Sequence, residues 1–84
     1  MPTRQEVYEA IDSERAYQQH RWGVEHDKQH TSPCPWLVYI KTYVDEAFAL
    51  ATFNEPEVND TLRKIAGLSV AAMEQLGAPK REGF

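Results

Sequence analysis

Apolar side chains recur at three- and four-residue spacings over most of the chain, which is the pattern of amphipathic helices. The first such segment begins at a capping box, Thr3 to Glu6, and meets no glycine or proline before Gly23. The pattern therefore predicts helix one over about residues 3–21. Residues 22–32 have neither helical spacing nor alternation, and we expect a loop there.

Helix two is predicted to be apolar on two sides. It begins near Ser32 and Pro33, a hydroxyl residue followed by proline, and runs to about residue 53. Because a helix that is apolar on two faces is buried on two faces, we expect it to contact its neighbours and also another copy of the chain. One stripe contains Leu37, Ile40, Val44, Ala47 and Ala51, and the other contains Trp36, Tyr39, Tyr43, Leu50 and Phe53.

Helix three is predicted from a cap at Asn54 to a C-terminal glycine, Gly77. An interior glycine costs about 1 kcal/mol relative to alanine, so we expect another helix to approach the backbone closely at Gly67. The apolar stripe of this helix contains Val58, Leu62, Ile65, Ser69, Ala72, Met73 and Leu76.

These elements predict an all-α fold, a three-helix antiparallel bundle with a long loop between helices one and two that packs as an oligomer. The 84 residues allow a single helical domain over residues 1–77, followed by a flexible tail over 78–84. A domain of this size buries only about 60% of the surface of its unfolded chain. Because Cys34 is the only cysteine, no intrachain disulfide can form. We therefore expect a homo-oligomer, a dimer or higher, to supply the missing stability.

Composition excludes several other classes. No apolar run exceeds five residues, whereas a membrane-spanning helix needs about 20, so no membrane association is expected. The N-terminus lacks the apolar core of a signal peptide, and a lone cysteine is typical of a reducing compartment, which together favour the cytoplasm. A formal net charge of -4 argues against an extended nucleic-acid surface and leaves room for a local basic site.

Three glutamates interrupt the apolar stripes, one on each helix: Glu14, Glu46 and Glu74. A buried carboxylate costs several kcal/mol unless it is paired, hydrogen-bonded or bound to a metal. Carboxylates from facing helices favour Mg²⁺, so these three are candidate metal ligands. The alternative is a structural ion pair, for Glu14 with Arg15, Arg21 or Arg63.

The region around the predicted loop combines aromatic and basic residues. Aromatic faces stack on bases and cations neutralise phosphates, so this region predicts a pocket of nucleotide size. The alternative is that Trp22 and Trp36 anchor the loop to a small core. The candidate ligand-binding residues are Arg15, Tyr17, Arg21, Trp22, Lys28, His30 and Trp36.

A combined pattern of short motifs covers nearly the whole chain. It consists of Glu14-Arg15-Ala16-Tyr17-Gln18 with Trp22, His30-x-Ser32-Pro33-x-x-Trp36-Leu37, Glu46-Ala47, Leu62-Arg63-Lys64-Ile65-Ala66 and Ala72-Met73-Glu74-Gln75-x-Gly77-Ala78-Pro79. In this pattern the chain resembles a group of short bacteriophage and prophage proteins of undetermined role.

More distantly, the arrangement resembles the all-α nucleotide pyrophosphohydrolases of the MazG and dUTPase type. That resemblance implies a dimer or tetramer that binds Mg²⁺ through E-x-x-E on one helix and E-x-x-D on the next. It also implies cleavage of a nucleoside triphosphate to the monophosphate and pyrophosphate. Tyr43 and Ala49 flank Glu46 at a spacing of three, and Gly77 follows Glu74 by three, so neither paired motif is present. Only Glu46 corresponds to one of that family's metal ligands.

The sequence leaves three functions open. The first is a small cytoplasmic helical oligomer that binds a nucleotide or nucleotide-derived ligand without hydrolysis. In a phage setting, such a protein would sequester a host immune signal. The second is a Mg²⁺-dependent, MazG-like nucleoside triphosphate pyrophosphohydrolase that uses the three glutamates. The third is a protein-binding inhibitor or regulator of a host system. Because two-metal phosphoryl chemistry needs several clustered carboxylates, and this chain offers three on three helices, we expect binding without hydrolysis.

Overall fold

A computed structural model describes residues 1–51 and 55–84 of the chain, with the side chain of residue 55 left aside. Its elements are α1 (Arg4–Trp22), α2 (Val24–Lys28), α3 (Pro33–Leu50) and α4 (Glu55–Leu76). The described residues contain helices and no strand, so the all-α prediction is confirmed. Among these helices, none is long and apolar enough to cross a membrane.

The ends of α1 follow the sequence signals closely. The capping box is formed, since the Glu6 N–H donates to Thr3 Oγ1 at 3.1 Å and the Thr3 N–H donates to Glu6 Oε1 at 3.3 Å. At the other end Gly23 has φ 85°, a conformation that glycine adopts without the strain of a Cβ atom. Its N–H donates to the Gln19 carbonyl at 2.8 Å and closes the helix. The predicted helix one is therefore confirmed to within a residue at each end.

The predicted loop over residues 22–32 is wrong in part. Trp22 is the last residue of α1, and Val24–Lys28 form the short helix α2. The turn at Gly23 redirects the chain, and the buried Asp27 then faces α1. A helix of five residues is too short to display a hydrophobic period, which explains why the pattern did not reveal it.

The boundaries of α3 and α4 are also partly as predicted. Pro33 opens α3, but the Ser32 side chain at the cap position makes no capping hydrogen bond. The helix ends at Leu50, and the predicted end near Phe53 and the predicted cap Asn54 lie outside the described residues. At its C-terminus α4 stops before Gly77, whose N–H donates to the Met73 carbonyl at 2.9 Å, as expected for a terminal glycine.

Helix α4 holds the domain together, because it packs on both α1 and α3, while in the described residues α1 and α3 do not contact each other.

The apolar core is small. Trp36 of α3 is buried against Ala71 and Ala72 of α4, with Leu68 beside it. The indole N–H of Trp36 donates to the His30 carbonyl at 3.0 Å, which satisfies its only polar group. The arrangement leaves an open cleft between α1 and α3 above α4.

The contact between α1 and α4 is close and polar. A Cβ atom placed on Gly67 would lie 2.7 Å from Glu14 Cγ and 2.8 Å from Gln18 Nε2, so any larger residue would displace these side chains. The predicted close approach at Gly67 is therefore confirmed. The α1 residues buried at this seam are Glu14, Arg15 and Gln18, which are all polar. Positioning of α1 consequently depends on hydrogen bonds and ion pairs rather than on apolar packing.

The apolar stripe predicted on helix three is only partly buried. Ala72 is in the core, but Leu62 is 53% exposed and Met73 is 46% exposed. Similarly, α3 buries Trp36 on one side, while Leu37 and Phe48 are 59% and 77% exposed. The chain therefore presents apolar side chains to solvent on both helices of the α3–α4 hairpin.

The close contact at Gly67 predicts a clear response to a single methyl group. Gly67→Ala gains about 1 kcal/mol of helix propensity, but crowding of Glu14 and Gln18 costs about 1–3 kcal/mol. We expect a net loss in the free energy of unfolding, measured by urea denaturation. Asn59→Ala, at an exposed site of α4, is the control, because it gains helix propensity without crowding a neighbouring side chain. A Gly67→Ala variant as stable as the Asn59→Ala variant would contradict the close approach.

Candidate ligand-binding cleft

The cleft between α1 and α3 encloses a cavity of about 440 Å³. Its walls come from α1 and α3, α4 forms its floor, and α2 contributes His26 and Asp27. Five aromatic side chains dominate the lining, and they are Tyr17, Trp22, Trp36, Tyr39 and Tyr43. The cavity is within the range of about 300–1,000 Å³ that is usual for small-molecule sites.

The two tryptophans have different roles. Trp36 is 2% exposed and is part of the core, although one edge of it lines the cleft. Trp22 is 49% exposed and meets Tyr17 edge to face, with ring centroids 6.5 Å apart. The Arg21 guanidinium lies 5.9 Å from the Trp22 ring centroid. Anchoring to the core therefore accounts for Trp36, whereas Trp22 presents an accessible ring to the cleft.

Beneath the cleft, the Arg15 guanidinium ties three helices together. Its Nε donates to Glu74 Oε1 of α4 at 2.9 Å, and its Nη2 donates to Asp27 Oδ2 of α2 at 3.2 Å. Its Nη1 donates to Gln18 Oε1 at 3.0 Å. Burial alone lowers the pKa of Arg15, but the bonds to Glu74 and Asp27 outweigh it and raise the pKa above the ordinary value. Arg15 is therefore a charged structural group, already occupied by two carboxylates.

A second ion pair fastens the same seam further along. The Arg63 Nε donates to Glu14 Oε1 at 3.0 Å, and the Gln18 Nε2 donates to Glu14 Oε2 at 3.4 Å. The Nη1 of Arg63 donates to Asp60 at 2.8 Å. The hydrogen bonds to Glu14 and then Asp60 raise the pKa of Arg63. This buried carboxylate of Glu14 is thus compensated by an arginine, as the ion-pair alternative for it supposed.

The three glutamates predicted as metal ligands lie in different surroundings. Glu14 is bonded to Arg63, Glu74 is bonded to Arg15, and Glu46 is exposed on α3. Across residues 1–51 and 55–84, no group of three or more histidine, cysteine, aspartate or glutamate side chains is placed to hold a metal ion. A Mg²⁺ site at Glu14 or Glu74 would require that residue's ion pair to open.

The remaining predicted ligand residues lie around the cleft rather than in its lining. Lys28 pairs with Glu25 at 3.3 Å on the exposed side of α2. The ring of His30 lies beside those of Trp36 and Tyr39, with centroid distances of 5.5 and 5.6 Å. Of the seven predicted residues, only Tyr17, Trp22 and Trp36 line the cavity.

Sequence reasoning missed several lining residues. Lys64 of α4 lies over the ring of Tyr43, with its Nζ 5.8 Å from the ring centroid. His26 Nδ1 is buried without a hydrogen-bond partner and lies 3.7 Å from Asp27 Oδ1. Tyr39 and Tyr43 were recognised as a helical stripe, and their four-residue spacing was the available signal. Nothing in the sequence indicated that Lys64 lies at the cleft, because most of the other lining residues are far from it along the chain.

No known protein-family model matches the chain, and neither a curated protein nor a solved structure is significantly similar to it. What the chain binds is therefore inferred from the residues that line the cleft.

The Arg15 network predicts unequal effects for its members. Removing one partner of a buried ion pair leaves an uncompensated charge and costs about 3–5 kcal/mol. Arg15→Met leaves the buried Asp27 unpaired, so we expect a loss of that size in the free energy of unfolding. Glu74 is partly exposed, so Glu74→Gln should cost only about 1 kcal/mol.

Lys41→Met is the control for this comparison, because its pair with Asp45 is exposed and should contribute less than about 1 kcal/mol. Urea denaturation of all three variants gives the ranking. Similar losses for Arg15→Met and Lys41→Met would show that the buried network does not stabilise the fold.

Proposed function

We propose that this chain binds a nucleotide or nucleotide-derived ligand in the aromatic cleft and does not hydrolyse it. The observation that carries this proposal is the exposed aromatic wall of Tyr17 and Trp22 within a cavity of about 440 Å³. Flat aromatic side chains bind the face of any base, and each stack contributes about 1–3 kcal/mol. In the phage setting that the sequence resemblance implies, binding without turnover is what sequestration of a host signal requires.

The carboxylates of the cleft favour binding over catalysis. Phosphoryl transfer assisted by metal ions needs carboxylates that are free to coordinate them. Glu14 and Asp27 line the cleft, but each is hydrogen-bonded to an arginine. Recruiting them as ligands would leave Arg63 and Arg15 without these partners. The alternative function, a Mg²⁺-dependent pyrophosphohydrolase, therefore carries a larger structural cost.

We further propose that the chain functions as a homo-oligomer that buries the apolar face of α3 and α4. The chain exposes 6602 Å², whereas a folded monomer of its mass exposes about 5,100 Å². The exposed tail contributes part of this excess, and apolar side chains such as Leu62, Met73 and Phe48 contribute another part. A standard interface buries about 800 Å² on each partner, so a surface of this size is sufficient.

Ligand binding is tested with the full chain and a panel of mononucleotides and cyclic nucleotides, with and without Mg²⁺. We expect at least one nucleotide to raise the melting temperature, with calorimetry giving its affinity. Trp22→Ala should weaken that affinity about 10-fold or more, because it removes a stacking face. Tyr8→Ala is the matched control, since Tyr8 is an exposed aromatic residue of α1 outside the cleft.

Chromatography of the recovered nucleotide should show it intact after incubation with Mg²⁺. Release of pyrophosphate would instead support the pyrophosphohydrolase. If no nucleotide binds, the proposal is wrong and the third function, a protein-binding regulator, is favoured.

Assembly is tested by size-exclusion chromatography with light scattering. We expect the mass of a dimer or a higher oligomer, which is at least twice the 9.7 kDa of one chain. Leu62→Asp places a charge in the apolar face and should shift the mass towards the monomer, because burying an unpaired charge is costly. Val7→Asp, at an exposed apolar site of α1, is the control and should leave the mass unchanged. A wild-type monomer would contradict the proposed assembly.

A further inference from the structure

A second cavity adjoins the aromatic cleft along the seam of α1 and α4. It has a volume of about 320 Å³ and is lined by Ser13, Glu14, Tyr17, Arg63 and Lys64. Three of these residues, Glu14, Tyr17 and Lys64, also line the aromatic cleft. The two cavities are therefore neighbours, and one ligand can occupy both.

The two cavities differ in charge. The second cavity has two cations, Arg63 and Lys64, and one carboxylate, Glu14. The aromatic cleft has two carboxylates, Glu14 and Asp27, and one lysine, Lys64. Both carboxylates of the cleft are paired with arginines, Asp27 with Arg15 and Glu14 with Arg63. The second cavity has one more cation in its lining, so it is the more favourable place for an anionic group.

Lys64 lies at the boundary and has unused hydrogen-bonding capacity. Its ammonium group rests 5.8 Å from the centroid of the Tyr43 ring and makes no ion pair with any described residue. The lysines Lys28 and Lys41, by contrast, pair with carboxylates on their own helices. A lysine ammonium is a flexible point charge with three donors and is a common phosphate ligand.

Arg63 adds a second donor at the same place. Its Nε bonds to Glu14 and its Nη1 bonds to Asp60, while its Nη2 makes no hydrogen bond to the described residues. The two existing bonds hold the guanidinium in position without using this nitrogen. Arg63 can therefore donate to an anion while it keeps its ion pair with Glu14.

We propose that Lys64 and the Nη2 of Arg63 form a phosphate subsite, so that a bound nucleotide spans both cavities. Its base lies against the aromatic wall of the cleft, and its phosphate lies in the second cavity. This assignment rests on the proposed function for the position of the base. It adds the position and the partners of the phosphate, which the sequence had led us to expect at Arg15, Arg21, Lys28 and the histidines.

The test compares ligands that differ only in phosphate, by calorimetry on the full chain at low salt. We expect AMP and GMP to bind about 10-fold or more tightly than adenosine and guanosine, and the difference to narrow as salt is added. Because Lys64 also lines the cleft, the two affinities are compared: Lys64→Gln should reduce the affinity for the monophosphates several-fold more than the affinity for the nucleosides, and Arg63 should keep part of the preference. Lys41→Gln, which removes an exposed lysine from α3, should change neither.

A third probe, inorganic pyrophosphate, separates this subsite from the proposed function. Pyrophosphate needs no stacking, so it should bind wild type weakly and show at least a 10-fold loss in Lys64→Gln. Binding of pyrophosphate that depends on Lys64, without any nucleoside binding, would support the subsite and overturn the aromatic site. Nucleosides and monophosphates that bind equally well, or pyrophosphate that binds Lys64→Gln as well as wild type, would overturn the subsite. Thermal melts of each variant establish that it is folded.

Discussion

The buried guanidinium of Arg15 is the interaction on which the rest of the structure depends. Among residues 1–51 and 56–84, the buried apolar core is confined to Trp36, Ala71 and Ala72, which is too little to fix the positions of four helices. Arg15 of α1 bonds to Asp27 of α2 and Glu74 of α4, so it fixes the positions of α2 and α4 relative to α1. Buried ion pairs add little net stability over apolar packing, but breaking them is costly. We infer that the network selects one arrangement of helices more than it strengthens the fold.

The small residues of α4 are the counterpart of this polar network. At Gly67 the backbone of α4 meets the side chains of Glu14 and Gln18 directly, without an intervening Cβ atom. One helical turn on, Ala71 leaves space for the indole of Trp36 from α3. Helix α4 can therefore support both neighbours, while α1 and α3 stay apart. The cleft and its aromatic walls are a direct result, because in the part of the chain that the structure describes no Cα atoms of α1 and α3 come within 8 Å of each other.

The sequence predicted the features that depend on local signals. The capping box at Thr3, the proline at Pro33 and the glycine at Gly77 each define a helix end through neighbouring residues alone. Features that depend on distant residues were not predicted. Arg15 and Glu74 are 59 positions apart, and nothing in a single sequence pairs them. Glu14, Glu46 and Glu74 were predicted as carboxylates out of place on apolar stripes; Glu14 is buried, whereas Glu46 and Glu74 are exposed. A metal ion and an arginine compensate a buried carboxylate equally well, so the pattern could not choose between them.

The positions on α4 separate the proposed assembly surface from the proposed ligand site. At 100° per residue, Leu62 and Met73 lie about 140° and 120° around the helix from Gly67, which faces α1. Lys64 and Leu68, by contrast, line the cleft between α1 and α3. A partner that covers Leu62 and Met73 therefore approaches the side of α4 turned away from α1. In the proposed assembly the two faces of α4 therefore have different roles, because the polar seam contacts α1 and the cleft while the apolar stripe contacts the partner. This division explains why the predicted apolar stripe of α4 is only partly buried: Ala72 is in the core, whereas Leu62 and Met73 are exposed, since Gly67 and the polar residues of α1 occupy the contact between α1 and α4.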